Sequence, residues 1–594
     1  MGRVPRAGNN EKGEVSVASA FSSTFEARNA LTFIIHSPIA IRPRPPTMAT
    51  ASSFGSRLTA HRAVQPWRRT HRVSVGLKCP GVATKGRGVK SNHAAAAADV
   101  PSSTKSESTS SSYDLGCPHF ETCPGCSLDT NLHIPPTLSK AEEWFKDKGV
   151  EDFKAHTAST NGWRTRAKLA VRSVGNDARK NKPPPLALGL FQKGTHDLVE
   201  IPECVVHHPS INKAAEWVTE IANKLNVAAY DETTGLGKLR YVQLTVAGDE
   251  NDTTDPNTPS GVQIAIVWNS KPPVEGASVS PALVRYVDAL YLGVDGDTSD
   301  DSDENKKIVH SVWVNYNDSN TNEIISVDVE NWAHVHGPRY IYNKHDDASV
   351  AYAPGSFLQA NTEAYNALLS SLRKDIPVGS KITELYAGTG AIGLSIAASP
   401  IGKHESFGLR CVEVVAAAQE TFVLSCEKTF PGIDASNQPN VSFEVASAGD
   451  AAQNSVIDTD VIVVDPPRKG LDRKTLASLA GYEGDTSDGL EPANLDPRKG
   501  KQGPAGSGRK KRNKRNRREK KKSGNVPVER LEKIEPPPGR LKTLIYVSCG
   551  FASFQRDCAY LLNSGEWELK RAEGFNFFPG SDALETLAVF TRKE

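Results

Sequence analysis

The sequence predicts an α/β protein built on a doubly wound, Rossmann-like sheet, preceded by an α+β region and an N-terminal cysteine-cluster segment. Three observations predict it. After residue 375 apolar strand patterns alternate with turns and helical patterns. A glycine-rich turn, Gly388-Thr-Gly390-Ala-Ile-Gly393, follows the first of those strands. Between about 113 and 345, short strands crowd together around one helical stretch. At 594 residues the chain has room for two or three cores.

The formal charge of +2 is strongly segregated. Residues 1–100 carry 15 Lys+Arg against 4 Asp+Glu, and 509–522 carry 11 Lys+Arg against one Glu, so the remainder is acidic by 19 charges. Residues 1–112, rich in Arg, Ser and Ala and poor in acids, read as a targeting or disordered segment of organelle-import type. A plastid is favoured over a mitochondrion, with nucleus and cytoplasm as the remaining alternatives. No run approaches the roughly 20 apolar residues that would cross a bilayer, so no membrane partner is expected. Nine unevenly spaced cysteines do not form a secreted disulfide framework.

From residue 113 the composition turns globular. Strands are expected over 169–172, 186–190, 199–201, 239–246, 262–268, 308–316 and 324–329, and helices over 211–225 and 362–372. The acidic stretch 295–304 reads as a surface loop. In the second half, strands are expected over 381–386, 409–414, 441–445, 460–464, 542–547, 568–571 and 585–591. An insert over about 475–540, with the basic run at its centre, interrupts them and cannot bury a core.

The glycine turn lets backbone approach a ligand at a helix start. Glu413 ends the next strand at the spacing of a ribose-diol ligand, which suits NAD and S-adenosylmethionine equally. Asp465-Pro466-Pro467 at the end of the fourth strand favours S-adenosylmethionine, and Arg468 in place of an aromatic residue argues against amino-directed methylation. Cys549 ends the fifth strand, and Glu585 begins a last strand expected to be antiparallel, so topology carries both to the same cleft. A thiol and a carboxylate there suit attack on carbon 6 of a pyrimidine and proton removal from carbon 5. The carboxylate is expected to be ionised. Cys117-x5-Cys123-x2-Cys126 needs a fourth ligand, and spacing alone fits zinc and an iron–sulfur cluster equally. Trp163, Arg164, Arg166 and Lys168 form a basic–aromatic strip suited to RNA.

Together these motifs resemble the RNA uracil-5-methyltransferases of the iron–sulfur, ribosomal-RNA-modifying type. The resemblance rests on Tyr546-Val-Ser-Cys549-Gly-Phe-Ala-Ser-Phe-Gln-Arg556-Asp557 and Phe578-Pro579-Gly-Ser-Asp-Ala-Leu-Glu585-Thr586, and covers roughly 115–594 apart from the inserts. It implies a methyltransferase domain over 346–594 and an iron–sulfur and RNA-binding region over 113–345. It also implies Cys549 as nucleophile and Glu585 as base. The cofactor, S-adenosylmethionine, falls to Gln359, Tyr386, Glu413 and Asp465, with Asp450 a weaker candidate. Cys204 joins Cys117, Cys123 and Cys126 around a 4Fe-4S cluster with a structural role. The implied partner is RNA, rRNA favoured over tRNA, acted on by a monomer. A cytosine-5 methyltransferase is the rival enzyme, disfavoured because Ser548 rather than Pro precedes the cysteine, and a non-catalytic RNA-binding factor is the rival of another class. Gly550 stands where the family usually has Asn, Gly580-Ser581 where it has His-Thr, Glu384 where it has Asp, and Ala391 where many members carry a polar ligand.

Overall fold

The computed structural model describes residues 73–75 (backbone), 115–175, 182–248, 261–274, 278–294, 308–320, 323–431, 440–481 and 541–593. The expected acidic loop, the basic run and nearly all of the leader fall outside the described residues. Two large sheets organise the rest.

The first sheet is central in the chain. β3 (Arg166–Ser173), β4 (Leu186–Phe191), β5 (Leu198–Glu200), β6 (Leu239–Val246), β7 (Val262–Trp268), β8 (Val309–Tyr316) and β9 (Trp332–His336) assemble in the order β5-β4-β3-β6-β7-β8-β9. β7 and β8 are parallel, because the connection between them contains a helix, α3 (Pro281–Leu292). That helix and α2 (Pro209–Lys224) bury Ile211, Val218, Ile221, Val287 and Leu290 against the sheet. The strand expected over 324–329 is absent. Ser326 instead exchanges hydrogen bonds with the Asn315 side chain and accepts from Trp332 Nε1 at 3.0 Å, while Val327 and Val329 stay exposed. Local side-chain bonds replace the ladder there, and pairing resumes only at Trp332.

The second sheet has nine strands in the order β1-β14-β13-β12-β15-β16-β18-β17-β2. Its parallel centre is β12 (Lys381–Leu385), β13 (Gly408–Glu413), β14 (Val441–Val445), β15 (Val461–Val464) and β16 (Thr543–Ser548). β15 and β16 are buried throughout, as strands covered on both faces must be. α5 (Ala391–Ala398), α6 (Ala418–Thr429), α7 (Ala448–Asp458), α8 (Arg473–Leu479) and α9 (Phe551–Asn563) follow these strands in turn. β18 (Glu585–Arg592) inserts antiparallel between β16 and β17 (Trp567–Asn576), as the sequence predicts.

Three features depart from expectation. α8 packs Thr475, Ala477 and Leu479 into the domain, so the residues from 475 to 479 belong to it although the sequence reading put them in the insert. β2 (Lys154–Thr157) pairs with β17, and α1 (Pro136–Asp147) buries Leu138 and Phe145 beside it, so part of the 113–345 region completes the second sheet. Val73–Val75, inside the segment read as unstructured, forms β1 on the opposite edge. The hairpin β10 (Ile341–His345) and β11 (Ala348–Tyr352) bridges to α6, where Ser425 Oγ accepts from the Ala351 N–H at 2.8 Å. α4 (Thr362–Leu372) then leads into β12.

Asp557 on α9 is fully buried and ties three elements together. It accepts from the Leu471 N–H at 2.8 Å, from the Tyr546 hydroxyl at 2.9 Å and from Arg556 Nε at 3.1 Å. Asp557→Ala strands the Leu471 and Tyr546 donors, and a loss of about 2–4 kcal/mol in unfolding free energy is expected by urea titration.

Candidate active site

In the β16–β18 ladder Ser548 faces Thr586. One further step puts Cys549, just past β16, across from Glu585, the first residue of β18. Asp465 follows β15 on the neighbouring strand, so a thiol and two carboxyls meet at one end of the sheet. Burial pushes the Cys549 thiol up to about 11; Glu585 and Asp465 add to the rise and Arg468 opposes it. Glu585 is buried, and desolvation, followed by Asp465, lifts its carboxyl well above the usual range against the pull of Arg468. Burial alone raises Asp465 to about 7. Desolvation and Asp465 thus oppose the ionised Glu585 that the sequence reading expects, while Arg468 supports it.

Arg468, noted in the sequence only for what it excludes, is the functional residue that sequence reasoning missed. Its charge reaches both Cys549 and Glu585. The signal was its place directly after the Asp-Pro-Pro step. The loop that carries it is clamped by α9: Ser553 Oγ donates to the Arg468 carbonyl at 2.7 Å and Arg556 to the Lys469 carbonyl at 2.6 Å. A Cβ at Gly550 would stand 2.6 Å from the Arg468 carbonyl oxygen, which explains why Asn cannot replace it in this arrangement.

The cofactor candidates ring the same strand ends. Gly388 and Gly390 hold positive φ after β12, and among the described residues nothing beyond its chain neighbours lies within 4 Å of a Cβ built on Gly388. Glu413 accepts at 2.9 Å from the N–H groups of Gly388 and Val415, so its carboxylate is oriented at this turn. Glu384 accepts from the Gly393 N–H at 2.8 Å, and burial raises it to about 8. Tyr386 adopts a left-handed φ of 61°, its hydroxyl donates to Asp472 at 2.6 Å, and its ring packs against the core. Gln359 is half-buried in the loop before α4, whose Asn361 reaches the Phe577 carbonyl at 3.1 Å. Asp450 is exposed, caps α7 together with Ser447 and pairs with Lys474 at 3.3 Å.

Cys117, Cys123, Cys126 and Cys204 line one cavity of about 200 Å³, walled by Leu169, Leu190 and Ile201. Burial raises Cys126 to about 11, with the other three cysteines adding and Arg164 opposing. The thiols are spread around the wall: among the described residues no three His, Cys, Asp or Glu side chains gather on one point suited to a single metal ion. His207 borders the same cavity, and His208 follows it at the start of α2. Burial holds His207 down to about 4 beside Asn212, and His208 accepts from the Ser210 N–H at the start of α2.

The basic–aromatic strip is not a free RNA surface. Trp163 is buried edge-on against Phe578, Arg164 stacks on Trp163 at 4.6 Å and faces the cysteines, and Arg166 donates to the Ser356 and Pro354 carbonyls. Only Lys168 remains exposed.

No family model matches the chain. It is 30% identical over 478 residues to an uncharacterized RNA methyltransferase of Protochlamydia amoebophila, covering 80% of this chain and 98% of that protein. An uncharacterized RNA methyltransferase of Enterococcus faecalis is 24% identical over 380 residues, 61% of this chain and 72% of its own. Among solved structures, the tRNA (uracil-54, C5)-methyltransferase of Pyrococcus abyssi in complex with S-adenosyl-L-homocysteine shares the fold. Its TM-score is 0.50 at 19% identity, over 79% of this chain and 86% of that one.

With its thiol held near 11, Cys549 has little thiolate at neutral pH, and the fraction grows as pH rises. Iodoacetamide labelling of Cys549 in the ligand-free protein, followed by peptide mass spectrometry, is expected to quicken about tenfold per unit between about pH 7 and 9. A plateau below about pH 8 would show that burial does not hold the thiol up.

Proposed function

Because the chain belongs to the RNA methyltransferases, in the uracil-5 family that its motifs resemble, we propose that it forms 5-methyluridine in RNA, with rRNA ahead of tRNA as substrate. One observation carries this reading: the β16–β18 register and the β15–β16 pairing bring Cys549, Glu585 and Asp465 to one cleft beside the glycine turn. The site fits S-adenosylmethionine. Open space above Gly388, the oriented Glu413 carboxylate and the exposed Val414 and Val415 offer backbone, a diol acceptor and an apolar wall. When bound, that cofactor supplies an electrophilic methyl group and a positive sulfonium charge.

Each group at the rim has one task. Cys549 adds through sulfur to carbon 6 of the uracil, which makes carbon 5 nucleophilic. Once carbon 5 carries the methyl group, Glu585 takes its proton and the carbon–sulfur bond breaks, returning the thiolate. Burial raises the proton affinity of both groups. Arg468 favours the charged forms of both, and any further positive charge in the cleft acts in the same direction. The uridine must leave its stack to reach so recessed a sulfur, which single-stranded RNA permits most cheaply.

The four cysteines line one cavity, and four thiolate donors are the set a 4Fe-4S cluster takes. Cys117, Cys123, Cys126 and Cys204 would hold it, and its contribution would be structural. The basic leader is proposed to direct organelle import.

RNA carrying 5-fluorouridine is expected to form a stable covalent adduct with this chain, lost in Cys549→Ala. Glu585→Gln should instead accumulate a methylated adduct on ordinary uridine, because proton removal fails. An adduct that survives Cys549→Ala would sink the nucleophile assignment. Anaerobically purified protein is expected to contain about four irons and four acid-labile sulfides per chain. Stoichiometric zinc in place of iron would refute the cluster.

A further inference from the structure

Glu585 is held by pairing on one side only. Within β18 it faces Phe575 of β17, but the ladder to β16 ends one residue later, at Thr586. The chain reaches Glu585 through loop 577–584, and that loop is fastened to segments outside the β17–β18 hairpin. Asn576 Nδ2, at its start, donates to the Leu132 carbonyl at 2.6 Å. The Gly580 carbonyl accepts from the N–H groups of Ser127 and Leu128 at 2.7 and 3.0 Å. Asp582 donates its N–H to Ser127 Oγ at 3.2 Å, and its Oδ1 accepts from the Thr137 N–H at 2.6 Å. Gly580 also packs so closely that an added Cβ would lie 3.3 Å from Cys126 Sγ.

Cys549 stands on a separate scaffold, the Asp557 clamp and the Arg468 loop. The two reacting groups are thus positioned by different parts of the chain, and the steps they serve are separable. We infer that Asn576 and Asp582, by tying loop 577–584 to the cysteine-bearing segment, are positioning residues for the Glu585 carboxyl and act on proton removal from carbon 5, not on thiol addition. The inference rests on the proposed role of Glu585 as base. Catalytic groups tolerate little displacement, so a loosened loop weakens the step that depends on it while the sulfur stays in place.

The test uses the full chain with all nine cysteines intact and the double variant Asn576→Ala/Asp582→Ala. Trapping on 5-fluorouridine RNA needs addition and methylation but no proton removal, whereas turnover on ordinary RNA needs all three. The variant is expected to trap at a rate within about twofold of the parent while its turnover falls about tenfold or more. Methylated protein–RNA adduct should accumulate on ordinary uridine, as for Glu585→Gln. Asp582→Ala alone, at an exposed position, should show the same split at smaller amplitude, and Asp582→Asn, which keeps the oxygen acceptor, should restore turnover. If trapping and turnover fall together in the single variant, or neither changes in the double variant, the inference is overturned. Failure of the parent itself to trap would instead overturn the proposed function.

Discussion

The antiparallel register between β16 and β18 is the constraint on which the site depends. Side chains alternate faces along a strand, so a slip of one residue would turn Glu585 to the opposite face of the sheet. The register resists slipping because both strands are buried: Leu544, Ile545, Tyr546, Leu587, Ala588 and Phe590 fill the core on the two faces. The same packing withdraws the Glu585 carboxyl from water and leaves Cys549 and Asp465 only partly exposed. Packing precision and raised proton affinity therefore share one cause.

The central sheet and the cysteine segment serve the cleft from outside it. Arg166, partly buried, turns its two terminal nitrogens to the carbonyls of Ser356 and Pro354, and Gln243 adds a bond to Pro354 at 2.8 Å. These bonds pin the loop bearing Gln359 to the first sheet. Asn361, at the end of that loop, then reaches the Phe577 carbonyl beside the base loop. Residues that look like ligands for nucleic acid hold together the loops that bear Gln359 and lead to Glu585.

Much of this was legible in the chain because local backbone demands are written in contiguous residues. β6, β7, β14 and α4 fall where periodicity puts them, and the glycine turn, the Asp-Pro-Pro step and the motifs around Cys549 and Glu585 mark strand ends. What escaped depends on distant partners. A basic residue on a strand reads as solvent-facing, yet the carbonyls that satisfy Arg166 lie nearly two hundred positions onward. The apolar residues of 324–329 read as strand, but Asn315 and Trp332 capture the backbone at Ser326. α1 and α3 went unseen, and the pairing of β2 with β17 joins segments more than four hundred residues apart.

The missing side chain at Gly550 has a consequence for how this cleft can change. Because the Arg468 carbonyl oxygen occupies the volume a Cβ would need, a side chain at position 550 collides unless the backbone at 468 moves with it. Any route from this arrangement to one bearing asparagine must pass through a shift of the loop that carries Arg468. The backbone of one loop thereby limits which side chains the start of α9 can carry.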